Sequence, residues 1–242
     1  MNEVMIQFKP YPSIGNHTDA EWMARIREAV PASALFAVQE KVDGANVSFL
    51  CDDLDVRMAR RTAILSPTES FFNHQDMLER YSGNIYHIYN LIRLEYQEVT
   101  SIAVYGELFG GAYPHPGVPV LRQVKPVQQG VWYGPGYDFY AFDVYVFTKE
   151  GGFFLPVQEA NALFSTAGLL YARNLYVGSL DKCLTYPCSF PTTIPAEYGL
   201  PPIDNNICEG IVIKPLAPIL LPNGSRVAVK KKNTIATGSF PR

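Results

Sequence analysis

The chain has 242 residues, 48% hydrophobic and 18% charged, with a formal net charge of −3. That balance excludes a disordered chain and fits a single domain of ordinary size with a substantial core. It also gives no overall pull on nucleic acid, no apolar run approaches the roughly 18 residues that span a bilayer, and the N-terminus shows no secretory pattern.

In chain order, residues 19–30 predict a helix, with Asp19 as its cap, Trp22, Ile26 and Val30 at helical spacing, and Pro31 as its stop. Residues 35–39 and 45–50 predict two strands that flank a Lys41-Val42-Asp43-Gly44 segment, and residues 55–60 predict another. Residues 76–98 predict a helical region whose inward stripe is Leu78, Tyr81, Ile85, Ile88 and Ile92. Further strands are expected at 102–108, 138–147, 210–213 and 226–230. Proline and glycine mark 113–137 as a long surface loop, and 181–206 reads as a second. Strands not regularly separated by helices point to an α+β fold of two antiparallel β-sheets flanked by helices.

The cysteines Cys51, Cys183, Cys188 and Cys208 form no CxxC pair, and no histidine stands at ligand spacing. They read as free thiols of a reducing compartment rather than a zinc site. Charge is distributed unevenly. From Glu209 onward the chain carries Lys214, Arg226, Lys230, Lys231, Lys232 and Arg242 against the single acid Glu209. A solvated basic tail is the ordinary reading; a local field for phosphates is the functional one.

Lys41 stands two residues before Asp43, with Gly44 next and Asn46 soon after. A lysine amine with the reference pKa of about 10.4 is unprotonated in only roughly one case in 2,500 at pH 7. A neighbouring cation or a desolvated pocket raises that fraction, and the amine then becomes a nucleophile. Lys230 and Lys232 project from one face of a strand, with Lys231 on the other, and suit both that task and a phosphate clamp. Glu107 sits in a strand that ends in glycines. Phe142 and Asp143 lie side by side in an apolar strand, where a lone carboxylate is costly unless paired or bound. Glu209 opens an apolar strand that also holds Lys214, at opposite parity to Glu209. Taken singly, each is equally a strand-end charge at the surface.

Their order resembles the covalent nucleotidyltransferase superfamily of polynucleotide ligases and messenger-RNA capping enzymes, and within it the RNA ligase 2-like branch. The nucleophile motif is Lys41-Val42-Asp43-Gly44. Ala45-Asn46-Val47-Ser48-Phe49 is similar to that branch's Thr-Asn-Phe continuation, Ala59-Arg60-Arg61-Thr62 to its Lys-Arg-Thr element, and Glu69-Ser70-Phe71-Phe72 to its Glu-Asp-Phe-Phe. Glu107, Phe142-Asp143, Glu209 and Lys230-x-Lys232 then follow in family order. Two letters depart from the branch: Asp43 where several members have His, and Ala45 where Thr is common. Asp at that position is usual in DNA ligases and capping enzymes.

The resemblance implies a nucleotidyltransferase (ATP-grasp-like) domain over residues 1–242 without the C-terminal accessory domain that family members generally carry. It implies an intracellular ATP-dependent RNA ligase that uses Mg²⁺ or Mn²⁺. Lys41 would take AMP from ATP, pass it to an RNA 5′-phosphate, and the adenylated end would be joined to a 3′-hydroxyl, nicked duplex included. Lys230 and Lys232 would grip the α-phosphate and help keep the nucleophile neutral. Glu209 and Asp143 would organise the metal, Phe142 would stack on adenine, Glu107 would accept from a ribose hydroxyl, and Arg61 would reach ribose, phosphates or the RNA end. Glu40 would meet adenine through its backbone, Asn46 would serve the phosphates, and Val42, Asp43, Gly44 and Lys214 complete the expected nucleotide site. Two other readings stay open: a GTP-dependent capping guanylyltransferase or DNA ligase of the same superfamily, and a non-catalytic nucleotide- or RNA-binding domain.

Overall fold

A computed structural model describes residues 6–233, so Arg242 of the basic stretch lies outside the described residues. The elements in chain order are β1 (Gly15–Asn16), α1 (Ala20–Ala29), β2 (Phe36–Lys41), β3 (Ala45–Cys51), β4 (Val56–Arg60), β5 (Ala63–Ile64), α2 (His74–Glu95) and β6 (Val99–Ala112). There follow β7 (Gly134–Thr148), β8 (Gly151–Phe154), α3 (Val157–Thr166), β9 (Leu170–Tyr171), β10 (Asn174–Gly178), α4 (Leu180–Thr185), α5 (Ile194–Glu197), β11 (Gly210–Pro215) and β12 (Val229–Lys232). The fold is α+β with two largely antiparallel sheets, as expected; the short pairs β1–β12 and β7–β9 are parallel.

The chain clusters into two compact units. Among the described residues, one comprises 6–11, 45–108 and 138–171; the other comprises 12–44, 109–137 and 172–233. The first is built on the sheet ordered β5-β4-β3-β6-β7-β8. In it α2 turns Met77, Tyr81, Ile85, Ile88, Tyr89 and Ile92 inward, while Leu78 is only half-buried. The ring of Phe49 on β3 meets Phe139 on β7 edge-on at 4.9 Å and Tyr81 of α2 at 6.0 Å. Gly106 explains a motif glycine: a Cβ there would come within 2.4 Å of the Phe139 ring and 2.6 Å of the Tyr140 carbonyl. Only a residue without a side chain lets β6 and β7 pass that closely.

The second unit is built on the sheet ordered β1-β12-β11-β2-β10. In β2 and β11, successive side chains alternate faces. Phe36, Val38, Ile211, Ile213 and Val229 turn to one face and form a buried cluster with Met23 and Ile26 of α1 and with Leu180 and Cys183 of α4. Gln39, Lys41, Val212, Lys214, Lys230 and Lys232 fall on the other face by register. Helix α1 starts as its sequence dictates: the Asp19 carboxylate accepts from the Trp22 amide at 3.0 Å, and Val30 ends it.

Several elements differ from expectation. The stretch 181–206 is not a plain loop: it holds most of α4 and all of α5. Residues 134–137 of the expected loop at 113–137 belong to β7. The last strand starts at Val229 rather than 226, because Arg226 instead bridges Leu220 across a turn. Between 148 and 180 the sequence pattern is weak, and β8, α3, β9 and β10 were not expected there.

Asp19→Ala should cost about 1 kcal/mol of stability, since it removes the only side-chain cap of α1. Urea unfolding of the variant beside the parent chain measures it.

Candidate active site

In the second unit, β11 runs between β2 and β12, and Gly210 is the Cα partner of both Lys41 and Lys232. Residues directly opposite in an antiparallel pair project to the same face. Lys41 and Lys232 therefore rise on either side of a residue that has no side chain. Gly210 has φ +149°, and a Cβ on it would stand 2.2 Å from the Lys231 carbonyl oxygen. That turn brings the side chain of Glu209 to both lysines. One carboxylate oxygen accepts from Lys41 Nζ, and the other accepts from Lys232 Nζ at 2.7 Å.

This geometry shows why opposite parity does not set Lys214 apart from Glu209, which precedes the strand. Strand alternation begins only at Gly210, so Lys214 lies on the same face as Lys41, Lys230 and Lys232. It is buried, at 2% exposure. Lys231 faces the other way, as the alternation requires, and donates to the carbonyl oxygens of Leu184 and Tyr186 at the end of α4.

Electrostatics tie Asp43 to this cluster. Burial pushes its carboxyl above the usual carboxylate range, the Glu209 charge adds to the rise, and Lys41 and Lys232 oppose it. The hydrogen bond to Glu209 holds the Lys232 ammonium above the usual lysine range, against the burial that lowers it. Glu40, one residue before the nucleophile candidate, turns to the opposite face. Its carboxylate accepts from the Thr192 hydroxyl at 2.5 Å, the Thr193 amide at 2.9 Å and the Thr193 hydroxyl at 2.6 Å. Burial raises its pKa above the ordinary 4.5, and those three donors hold the rise down. Val42 is buried, and Gly44 ends the connection between β2 and β3.

The first unit carries the remaining expected residues. Asn46 on β3 is the direct cross-strand partner of Glu107 on β6, so both side chains lie on one face. The Asn46 amide reaches the Gly106 carbonyl at 3.5 Å. Arg61 is exposed between β4 and β5, next to Arg60, whose guanidinium pairs with Glu69 at 3.4 Å. Asp143 is fully buried. Its charge has a donor that sequence reasoning missed: the Tyr11 hydroxyl at 2.6 Å. The same Tyr11 ring meets Phe142 edge-on at 5.0 Å between centroids. Tyr11, Tyr133, Thr192, Thr193 and Asn206 are the polar residues the sequence did not single out. They lie in irregular segments, without period or motif.

The fit to a divalent metal follows from the donor chemistry. No group of three or more His, Cys, Asp or Glu among the described residues forms a ready cage. Mg²⁺ does not ask for one, since it keeps waters and takes one or two carboxylates together with substrate phosphates. Hard oxygens at Glu209 and at Asp43, where carboxylate charge accumulates, suit a cation that arrives with phosphates.

Residues 34–232 match the profile of the RNA ligase family. The chain is similar to RNA-editing ligase 1, mitochondrial, of Trypanosoma brucei brucei, with 32% identity over 238 residues that cover 86% of this chain and 50% of that protein. RNA-editing ligase 2, mitochondrial, of the same organism is 34% identical over 198 residues, covering 72% of this chain and 47% of that protein. The chain thus spans about half the length of the curated relatives it matches. Its fold is similar to that of a Naegleria gruberi RNA ligase variant solved with ATP and Mn: TM-score 0.59, 16% identity, 96% of this chain and 59% of that one. It is also similar to an archaeal ATP-dependent RNA ligase: TM-score 0.55, 19% identity, 95% of this chain and 49% of that one.

Two outcomes are expected. Gly210→Ala should cost about 3 kcal/mol or more, because backbone strain and a clash with a main-chain oxygen coincide there; thermal unfolding reads it. Glu40→Gln tests the buried carboxylate. A carboxyl with a higher pKa folded than unfolded binds its proton more readily in the native state. Its contribution to stability therefore falls as pH rises above 4.5 through the folded value. Going from pH 7 to pH 5, the parent chain should gain stability relative to Glu40→Gln in urea unfolding; parallel pH trends would mean that the Glu40 carboxyl titrates normally.

Proposed function

We infer the function from one premise: the chain belongs to the RNA ligase family. We propose that it is an ATP-dependent RNA ligase whose Lys41 takes AMP from ATP, passes it to an RNA 5′-phosphate and so permits sealing to a 3′-hydroxyl. The single observation that carries this reading is Glu209 shared between Lys41 and Lys232 on one face of the second unit's sheet. A nucleophilic lysine must lose a proton, and Lys41 Nζ already donates to a Glu209 carboxylate oxygen onto which that proton can move. Lys232 gives a phosphate oxygen an ammonium partner, and Lys230 and Lys214 add positive charge to the same face. In this reading an incoming α-phosphate takes over Lys232 from Glu209.

The proposed chemistry balances. The Lys41 nitrogen forms a bond to the α-phosphorus, the bond to the bridging oxygen breaks, and pyrophosphate leaves. The RNA 5′-phosphate then displaces the lysine. In the last step a 3′-hydroxyl attacks that phosphate and AMP departs. A divalent cation, Mg²⁺ or Mn²⁺, bound with the phosphates would supply charge neutralisation there, with Glu209 and Asp43 as the carboxylates of the second unit that suit it; Asp143 keeps only the metal role the family resemblance gives it. ATP and Mn in the Naegleria gruberi ligase structure support that pairing of nucleotide and metal.

The first unit's residues keep the roles the family resemblance gives them. Phe142 stacks on adenine, Glu107 accepts from ribose, Arg61 contacts ribose, phosphates or the RNA end, and Asn46 serves the phosphates. Glu40 meets adenine through its backbone, and Val42, Asp43 and Gly44 shape the segment around the nucleophile. Residues 1–242 are proposed to be the nucleotidyltransferase domain, acting inside the cell on RNA ends that include nicks in duplex RNA. The mitochondrial trypanosome relatives support an intracellular setting. Among the described residues no helix is long and apolar enough to cross a membrane.

Incubation with labelled ATP and a divalent metal should give acid-stable, protein-bound label that Lys41→Ala abolishes at unchanged fold. Nicked duplex RNA should be sealed in preference to nicked DNA. Label from GTP and not ATP, or label that persists in Lys41→Ala, would overturn the proposal.

A further inference from the structure

The amide of Asp43 lies outside the sheet ladders, because β2 ends at Lys41 and β3 starts at Ala45. A backbone N–H in such a place needs a partner. It finds the phenolic oxygen of Tyr133, which accepts from it at 2.9 Å. Tyr133 is 90 residues further along the chain and has no exposed surface. Its ring meets Phe109 edge-on at 5.3 Å. Burial and the charges of Glu40, Asp43 and Glu209 hold its pKa well above the usual tyrosine value, so the hydroxyl stays a neutral phenol.

The tyrosine is itself held. At the preceding residue, the Trp132 amide donates to Asn206 Oδ1 at 2.8 Å, and Asn206 Nδ2 donates to the Trp132 carbonyl at 2.7 Å. A side-chain amide bonded both ways to one residue fixes that residue in two directions. The Asn206 carbonyl accepts from the Thr192 amide at 2.9 Å. Thr192 and Thr193 in turn grip the Glu40 carboxylate. The result is a closed loop of hydrogen bonds within the second unit: Glu40, the Lys41–Asp43 segment, Tyr133 with Trp132, Asn206, Thr192 with Thr193, and back to Glu40. Lys41 sits inside it, fixed by a bond on either side in sequence.

We propose that Tyr133 is a positioning residue for Lys41: its hydroxyl, held in place through the Trp132–Asn206 clamp, pins the Asp43 amide and with it the segment that aims the nucleophile. This rests on the reading of Lys41 as the residue that takes AMP. Attack needs the nitrogen in line with the breaking phosphorus–oxygen bond, and small misplacements are costly. A pin on the backbone two residues away acts on aim more than on nucleotide binding, so the rate of adduct formation falls far more than half-saturation by ATP moves.

Tyr133→Phe removes the pin alone. Tyr113→Phe is the matched control, since it deletes another buried hydroxyl, donated to the Pro201 carbonyl at 2.6 Å. Two readouts are taken on the full chain. In single-turnover lysyl-AMP formation, Tyr133→Phe should be slower by between about 10- and 100-fold with ATP half-saturation within about twofold of the parent, and Tyr113→Phe should match the parent. In amide hydrogen exchange without nucleotide, residues 40–46 should exchange about tenfold faster in Tyr133→Phe, while the amides of β11 keep their protection. Asn206→Asp, which keeps the acceptor for the Trp132 amide and loses the donor to its carbonyl, should shift exchange the same way by less. Equal adduct rates in the two tyrosine variants, or unchanged exchange at 40–46, overturn the inference. A parent chain that forms no adduct from ATP would sink the functional reading instead, and the exchange result would still decide whether Tyr133 pins the segment.

Discussion

One carboxylate between two ammonium groups is the constraint on which the second unit's functional face depends. Glu209 meets Lys41 from β2 and Lys232 from β12, the two strands on either side of β11, which it immediately precedes. Glu209 is the member the other two depend on: its removal would leave two neighbouring ammonium groups without their shared partner, whereas loss of either lysine leaves the other pair in place. The arrangement requires Gly210, because any side chain there would strike the neighbouring main chain and block the turn that aims Glu209. The backbone conformation of a glycine thus determines which charges meet.

The same rule governs the other buried charges. Asp143 is buried in an apolar strand and takes the Tyr11 hydroxyl. Glu40 is buried on the core-facing side of β2 and takes three donors from two threonines. Each of these partners comes from an irregular segment. The regular strands supply the carboxylates, and the loops supply the donors that make their burial tolerable. The loops of the second unit are themselves held by hydrogen bonds to backbone groups at Gln128, Asn206 and Tyr133.

Much of the architecture was legible in sequence wherever period and punctuation were strong. Helix α1 announced itself by Asp19 and its apolar spacing, and β2, β3 and β4 by short apolar runs, each within a residue or two of the observed ends. The same holds for the charges: Lys41, Glu209 and Lys232 were picked as a set from their order, and the register of three adjacent strands brings them together. What failed was what depends on three-dimensional neighbours. Parity sets Lys214 opposite Glu209, yet the two are not separated, because a glycine turn interrupts the alternation at residue 210. Helices α4 and α5 were read as loop because proline-rich segments that hold short helices look the same as those that do not. Tyr133, Asn206 and Tyr11 carry no local signature, since their partners lie far off in the chain.

We propose that this assembly of charges makes Lys41, and no other lysine, the point of covalent attachment. Peptide mass spectrometry of the chain after incubation with ATP and a divalent metal tests it most directly. A mass increase of one AMP is expected on the peptide that contains Lys41, with Lys214, Lys230, Lys231 and Lys232 unmodified. An AMP adduct on any of those four, or none on Lys41, would contradict it.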